Sequence, residues 1–389
     1  MKIILLLNQP YPNGYALTKR FHLYAKGIIK NGHNAKFIIP IPNEKTGQSK
    51  NNLTRGYYEE IPYEYSWKNC ERSKYFIIRR IHDLYGYLNT GIKIIKEKPT
   101  IIITSSFPFL FYCYIKLISI FISFKLIKEK CEVDYMTQES ITSLDKFRVS
   151  IINKLFDAFI VINNQLKKFQ FEDLRLNIPC IVVPILIDES IIENKLKIRK
   201  SIVYTGTFLE RKDGILTILK AFSYFKVKFP DYKLFLTGSP QSSPDYKNII
   251  DLIKQLKIID SVIFTGYLSE IELREIIFSA ELLIIAKPAN RQNYYNFPTK
   301  IGEYLISGRP ILSTKVGVVG ELLSDGENIF FTENDPESMS WKMKFIVTNK
   351  QLASKIGKNG ESFAKLNFNY IHHSERMIEF FKDINSKIY

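Results

Sequence analysis

The sequence predicts an α/β protein of two doubly wound domains, on three observations. Short apolar segments alternate with amphipathic helical ones along most of the chain. The alternation breaks at residues 188–200, a charged stretch without a strong apolar pattern, and then starts afresh. After the break, three apolar segments end alike, in Thr205-Gly206, Thr237-Gly238 and Thr265-Gly266. Each puts a glycine at the carboxyl edge of a parallel sheet, where backbone can closely approach a ligand. With 389 residues, 46% of them hydrophobic, the chain can bury two cores.

In the first half, residues 2–7 are apolar on both faces, as in a buried parallel strand. The loop NQPYPNGY follows, with Gly14 in it. Thr18 is placed to cap a helix running to about Asn31, with Phe21, Tyr24, Ala25, Ile28 and Ile29 inward. Gly32 ends it and 35–40 is the next strand. This βαβ unit lacks the three-glycine dinucleotide fingerprint, which argues against a standard NAD site. A strand within 56–65, a helix over 76–98 and a strand at 101–104 come next. The apolar run 107–127 contains Lys116 and Lys125, so it reads as a buried helix and a strand (124–128) rather than a membrane span. Glu129-Lys130-Cys131-Glu132 then leaves two acids at a strand's carboxyl end. Residues 140–156 read as helix, 158–162 as strand, Asn163-Asn164 as a helix start and 181–183 as a short strand.

In the second half, strands are expected at 202–205, 233–237, 262–265, 281–286 and 311–313, with helices between and filling the end. The segment 206–214, GTFLERKDG, reads as a loop. The most telling stretch is NFPTKIGEYLISGRPIL, 296–312. Pro298 suits the first turn of a helix, because its missing N–H would be unpaired there anyway. Thr299 and Lys300 then add a hydroxyl and a cation to a helix tip suited to phosphate. Glu303 lies one turn deeper, where a carboxylate would repel phosphate but accept two hydrogen bonds from a ribose diol. The stretch suits a nucleotide; the other reading is an ordinary amphipathic helix with Ile301, Tyr304 and Leu305 in the core.

The net charge is +16, and it is uneven. Residues 1–190 hold 27 Lys+Arg against 17 Asp+Glu, or +10; the rest hold 28 against 22, or +6. Such a balance suits an acidic partner: an anionic membrane surface, nucleotide phosphates or nucleic acid. No nucleic-acid motif is present. Four scattered cysteines, with no CxxC pair, imply neither zinc nor a disulfide framework and fit a reducing cytosol. The N-terminus MKIILLLNQP is too short and too quickly polar for a signal peptide. The five histidines form no triad or metal pattern.

The segments VYTGTFLERKDGILTILKAF, LFLTGSP, VIFTGYLS, FPTKIGEYLISGRPIL and GELLSDGENIFF resemble, in order and spacing, the GT-B glycosyltransferases, and among them the retaining family 4 in its FPTK variant. The resemblance implies two Rossmann-like domains facing a central cleft. Residues 1–188 would bind the acceptor and 189–369 a nucleotide-diphospho-sugar, UDP- or GDP-linked. A last helix, 370–389, would pack back onto the first domain. No metal or cofactor is implied, since basic side chains neutralise the diphosphate. Lys212 matches the family's diphosphate-binding lysine; the arginine before it falls on Thr207, for which Arg211 is the available substitute. Gly206, Gly238 and Gly266 line the donor side, with Tyr267 and Leu268 along the base, and Pro298, Thr299, Lys300 and Glu303 on phosphate and ribose. The first glutamate of the family's pair falls on Tyr295. In the first domain Gly14 matches a glycine loop beside the diphosphate. Cys131 stands where some relatives carry a histidine, a role a thiol cannot fill unaided at neutral pH. Glu132, and after it Glu129, are the candidates for orienting the acceptor hydroxyl.

The implied activity is retaining transfer of a hexose to a glycan or lipid-linked glycan in bacterial surface polysaccharide synthesis, on the cytoplasmic side and peripheral to the membrane. A sugar-nucleotide epimerase of the same fold, and a non-catalytic protein binding anions or a membrane surface, are the alternatives.

Overall fold

A computed structural model describes residues 1–47, 49–133, 142–191 and 196–386. The chain divides into two units: Met1–Leu186 together with Tyr370–Tyr389, and Ile187–Asn369.

The first unit is built on an eight-stranded sheet: β1 (Lys2–Leu6), β2 (Asn34–Ile39), β3 (Arg55–Tyr58), β4 (Ile61–Tyr65), β5 (Ile101–Thr104), β6 (Lys125–Lys130), β7 (Ala158–Val161) and β8 (Cys180–Val182). The order is β8-β7-β6-β5-β1-β2-β4-β3, and only β3 and β4 pair antiparallel. The chain leaves β1 on one side and returns to β5 on the other, so the order reverses there. Crossovers of this kind are right-handed, so helices Phe76–Glu97, Phe109–Phe121 and Ser143–Asn153 fall on one face of the sheet, and Ala16–Lys30 on the other. The last helix, Tyr370–Ser386, lies along Ala16–Lys30. Gly27 makes that approach possible, since a Cβ there would fall 2.0 Å from Ser374 Oγ. Met377, Phe381 and Ile384 complete the core formed by Ile3, Leu5 and Phe37.

The second unit has six parallel strands: β9 (Ser201–Thr205), β10 (Lys233–Thr237), β11 (Val262–Gly266), β12 (Leu282–Ile285), β13 (Ile311–Thr314) and β14 (Phe330–Thr332). Their order is β11-β10-β9-β12-β13-β14, which reverses between β9 and β12. Ile202, Tyr204, Leu234, Leu236 and Ile284 are fully buried against Ile218, Phe222 and Phe225 of helix Ile215–Lys226.

Several sequence expectations are corrected. Thr18 is not a cap: the helix begins at Ala16, and buried Thr18 donates to Pro10 O at 3.0 Å, closing the preceding loop. The single strand expected within 56–65 is a hairpin, turned by Glu59 and Glu60 at positive φ. β6 runs to Lys130, so Glu129 lies inside the strand and not beyond it. The helix in 107–127 is not buried all round, for Leu110 and Phe121 are 78% and 80% exposed. The segment 206–214 contains a helical turn, Glu210–Asp213. β14 stands where only helix was expected. The helix expected over 140–156 is seen as Ser143–Asn153; 140 and 141 lie outside the described residues, as do 192–195 of the stretch at 188–200.

Candidate active site

In the second unit the carboxyl ends of β9 and β12 lie side by side where the strand order reverses, the place at which parallel α/β sheets take ligands. Three strand ends are joined there through backbone. Gly206 N donates to Thr237 O at 3.2 Å, and Gly238 N to Gly266 O at 2.9 Å. A Cβ on Gly206 would fall 2.0 Å from Tyr204 Oη and 2.7 Å from Lys300 Nζ, so the edge is kept bare.

Helix Lys300–Ile306 is fastened to this edge by Tyr304, whose buried hydroxyl accepts from Thr205 N at 2.8 Å and donates to Thr205 Oγ1 at 3.2 Å. Pro298 O accepts from Ile301 N at 3.0 Å, making the entry turn. Pro298 is buried, Thr299 exposed, and Glu303 half-buried one turn in. The helix has seven residues, so its dipole is weak and the Lys300 charge is the larger electrostatic contribution. Lys300 Nζ sits 4.5 Å from the Tyr204 ring centre and 3.1 Å from Asp213 Oδ1.

Asp213 gathers the site. Thr207 Oγ1 donates to its Oδ2 at 2.9 Å and so orients this carboxylate. Burial would raise the Asp213 pKa, but Lys300 first, then Lys287 and the hydrogen bonds, hold it well below the usual carboxylate range. Lys287, buried just beyond β12, donates to Asn293 Oδ1 at 3.0 Å and to Lys212 O at 3.3 Å. Asn290 Nδ2 donates to Arg211 O at 2.7 Å. The turn carrying exposed Arg211 and half-buried Lys212 is thus held from beneath through its carbonyls. It ends at Gly214, where φ is +59 and a Cβ would fall 1.8 Å from Ala286 O. Beyond β11, Tyr267 is exposed and Leu268 half-buried; Tyr295 is half-buried in the turn before Pro298.

The sheet edge therefore brings together Gly206, Gly238, Gly266, Lys212 and Lys300. The residues missed in the sequence are Asp213, Lys287 and Tyr304. Lys287 carried a signal, since it is a cation directly after the apolar run LLIIA. Asp213, one of four charged residues in the run ERKD, carried none.

In the first unit, Gly14 packs where a Cβ would fall 2.1 Å from Thr18 Oγ1. Glu129 is buried, and its Oε1 accepts from Arg20 Nε at 2.6 Å and Tyr24 Oη at 3.2 Å. Arg20 donates in turn to Pro184 O and Val183 O. This carboxylate ties helix Ala16–Lys30 to β6 and to the segment after β8. Cys131 Sγ lies 3.2 Å from both Glu129 oxygens. Burial first, then the Glu129 charge, pushes its pKa well up, so it stays a neutral thiol. Glu132 is exposed just past the strand. Among the described residues, no group of three or more His, Cys, Asp or Glu is placed to hold a metal ion, and no helix is long and apolar enough to cross a membrane.

Residues 188–363, nearly the whole second unit, match the family described as glycosyl transferases group 1. The chain is similar over 99% of its length, and of theirs, to a sucrose-phosphate synthase of Thermosynechococcus elongatus (14% identity, TM-score 0.77) and to a glycosyltransferase of Rickettsia africae (17%, 0.72). It is similar over 98% to HepE of Anabaena, solved with UDP and glucose (14% identity, 100% of that chain, TM-score 0.70). The fold is GT-B. The family match over residues 188–363, together with this fold, supports an enzyme of the transferase class. A curated relative, an uncharacterised glycosyltransferase of Methanocaldococcus jannaschii, is 33% identical over 64 residues; these span 16% of this chain and 18% of that protein.

Proposed function

We propose that the protein is a retaining, metal-independent glycosyltransferase of family 4, FPTK variant, that moves a hexose from a UDP- or GDP-linked donor to a glycan or lipid-linked glycan acceptor of a bacterial surface polysaccharide. The observation that carries this reading is the group of cations at the bare strand edge. Lys300 and Lys287 flank Asp213, and Lys212 and Arg211 stand on the turn that Lys287 supports. A single buried carboxylate faces two buried or half-buried lysines, so the edge keeps a positive balance for a diphosphate. Cations at such a site serve the charge-neutralising role that a divalent ion has elsewhere. HepE, with the same fold, was solved with UDP and glucose; that supports a uridine donor here.

The roles follow. Lys212, Arg211, Lys300 and Thr299 hold the diphosphate, with the backbone at Gly206 and Gly238 close to it. Glu303 accepts from the ribose hydroxyls. Gly266, Tyr267 and Leu268 lie along the base. The bond from the sugar C1 to the phosphate oxygen breaks while the acceptor oxygen bonds to C1 on the same face. The acceptor proton passes to the departing phosphate oxygen, so the products are a glycoside and a nucleoside diphosphate. Lys212 and Lys300 stabilise the charge that grows on that diphosphate. In the first unit, Gly14 is proposed for the diphosphate and Glu132 for orienting the acceptor hydroxyl. Glu129, spent on Arg20, acts by keeping helix Ala16–Lys30 in place. The acceptor is met on the cytoplasmic side, at an anionic membrane surface.

The test is thermal unfolding with UDP, GDP, ADP, CMP and their sugars, since a ligand of the native state raises the midpoint by mass action. One diphosphate is expected to raise it and to lose that effect in Glu303→Ala. No shift with any of them overturns the donor site.

A further inference from the structure

The first unit carries an apolar face that no described residue of the unit covers. On helix Phe76–Glu97, Ile77, Ile81, Leu84, Leu88, Ile92 and Ile95 are between 48% and 72% exposed. Their spacing of three and four residues lines them up along one side of the helix, over about 27 Å at 1.5 Å per residue. An amphipathic helix ordinarily turns such a stripe inward. Here the inward side is made instead of Asp83, Gly86, Thr90, Gly91 and Ile94. Gly86 and Gly91 let the helix settle closely on its supports: a Cβ would fall 2.1 Å from Pro40 O at the first and 2.0 Å from Tyr114 Oη at the second. The small and polar side of the helix is therefore the packed side.

The stripe continues onto the neighbouring helix. Helix Phe109–Phe121 lies alongside, joined by the Tyr114 hydroxyl donating to Leu88 O at 3.2 Å and by Tyr87 against Phe111 at 4.4 Å. Leu110, Leu117 and Phe121 lie on the same line of this helix as Tyr114 and are exposed. The next crossover on this face, Ser143–Asn153, repeats the pattern with Leu144, Phe147 and Ile151 exposed.

Charge decides what this face meets. Both acids of helix Phe76–Glu97 are drawn away from the stripe and neutralised: Asp83 is buried beside Arg72 and Arg80, and Glu97 is paired with Lys2 and Lys36. The cations Lys74, Arg80 and Lys96 are exposed at its margins. Residues 1–190 carry +10 in all. Two copies joined through this face would set like charges against each other, whereas an anionic leaflet complements it. A helix with an apolar side and basic margins, too polar to span, lies in the plane of the interface.

We infer that the apolar face of helices Phe76–Glu97 and Phe109–Phe121, with its basic margins, is a docking surface for an anionic lipid leaflet. This rests on the membrane-surface part of the proposed function and is independent of the donor chemistry. The experiment is sedimentation of the full chain with vesicles of phosphatidylcholine, with and without phosphatidylglycerol. The protein is expected to pellet with the anionic vesicles and to be released by salt. Leu84→Glu/Ile92→Glu is expected to lower the partition at least about tenfold, since it sets charge into the acyl boundary. Lys74→Gln/Lys96→Gln, which leaves the apolar face intact, is expected to lower it about fivefold per lysine. UDP-induced thermal shifts of all variants should equal that of the wild type, which separates lost docking from lost folding or donor binding. Wild-type protein that stays in the supernatant, or glutamate variants that pellet undiminished, overturns the inference. So does a dimer in sedimentation velocity that the glutamate substitutions abolish, which would give the face to a second copy.

Discussion

Asp213 is the residue on which the donor edge depends, and its charge is held by its neighbours. A carboxyl whose folded pKa lies below its unfolded value contributes stability that is present above the unfolded pKa, near 4, and is lost as pH falls through the folded one. The wild type is therefore expected to lose stability from about pH 5 downward, and Asp213→Asn to show a flatter acid limb. At neutral pH the same substitution strands Lys300 and Lys287 and should cost about 3 kcal/mol, read by urea unfolding. An unchanged acid limb would remove Asp213 from this role. Lys212 contrasts with it: it is half-buried, on a turn held through its carbonyl and not through its side chain, so its truncation is expected to leave the fold unchanged. Lys212→Ala is expected to lower kcat about a hundredfold with the midpoint unmoved, the size of effect seen when one charge-stabilising group is lost. The two residues differ in what the sequence tells of them. Lys212 is visible because a resemblance aligns it. Asp213 is not, because burial, and not spacing, gives it meaning.

At the scale of elements, the parallel strands were legible because strands buried on both faces are apolar throughout, as IIIT at 101–104 and LLII at 282–285 are. The helix Phe76–Glu97 was legible as a helix, but its apolar stripe did not tell which side packs, since Gly86 and Gly91 supply the close approach instead. Glu129 reads from the sequence as an acid just past a strand's carboxyl end, because a charged run suggests such an end. Arg20, 109 residues earlier, makes its burial tolerable, and no local pattern shows such a partner. The turn Glu210–Asp213 was hidden likewise, since Glu210 N bonds to Asp245 Oδ2 and its carboxylate to Leu216 N. This turn meets β12 at Gly214, which has both a left-handed backbone and no room for a side chain. Gly214→Ala is expected to destabilise by about 2–3 kcal/mol and to weaken UDP binding together with stability. A variant with unchanged urea midpoint and affinity would show that the turn is not held there.

At the scale of the molecule, the first core is closed by helix Tyr370–Ser386. Met377, Phe381 and Ile384 of the last helix pack among residues of β1 and β2, and Gly27 accommodates Ser374. The chain thus leaves the first unit after Leu186, forms the second, and returns at Tyr370 to finish the first. The unit is complete only with helix Tyr370–Ser386 in place, although all its strands precede residue 183. Phe381 is fully buried, so Phe381→Ala should cost about 3–5 kcal/mol through lost contact and the cavity left behind. The loss falls on the first unit, whereas UDP is proposed to bind the second. Hydrogen exchange is the suitable measurement, because it reads each sheet separately. Protection in β1 and β2 should drop in Phe381→Ala while that in β9 and β12 stays, and added UDP should raise protection in β9 and β12 alone. Equal loss in both sheets would mean that the last helix supports the whole chain and not the first core.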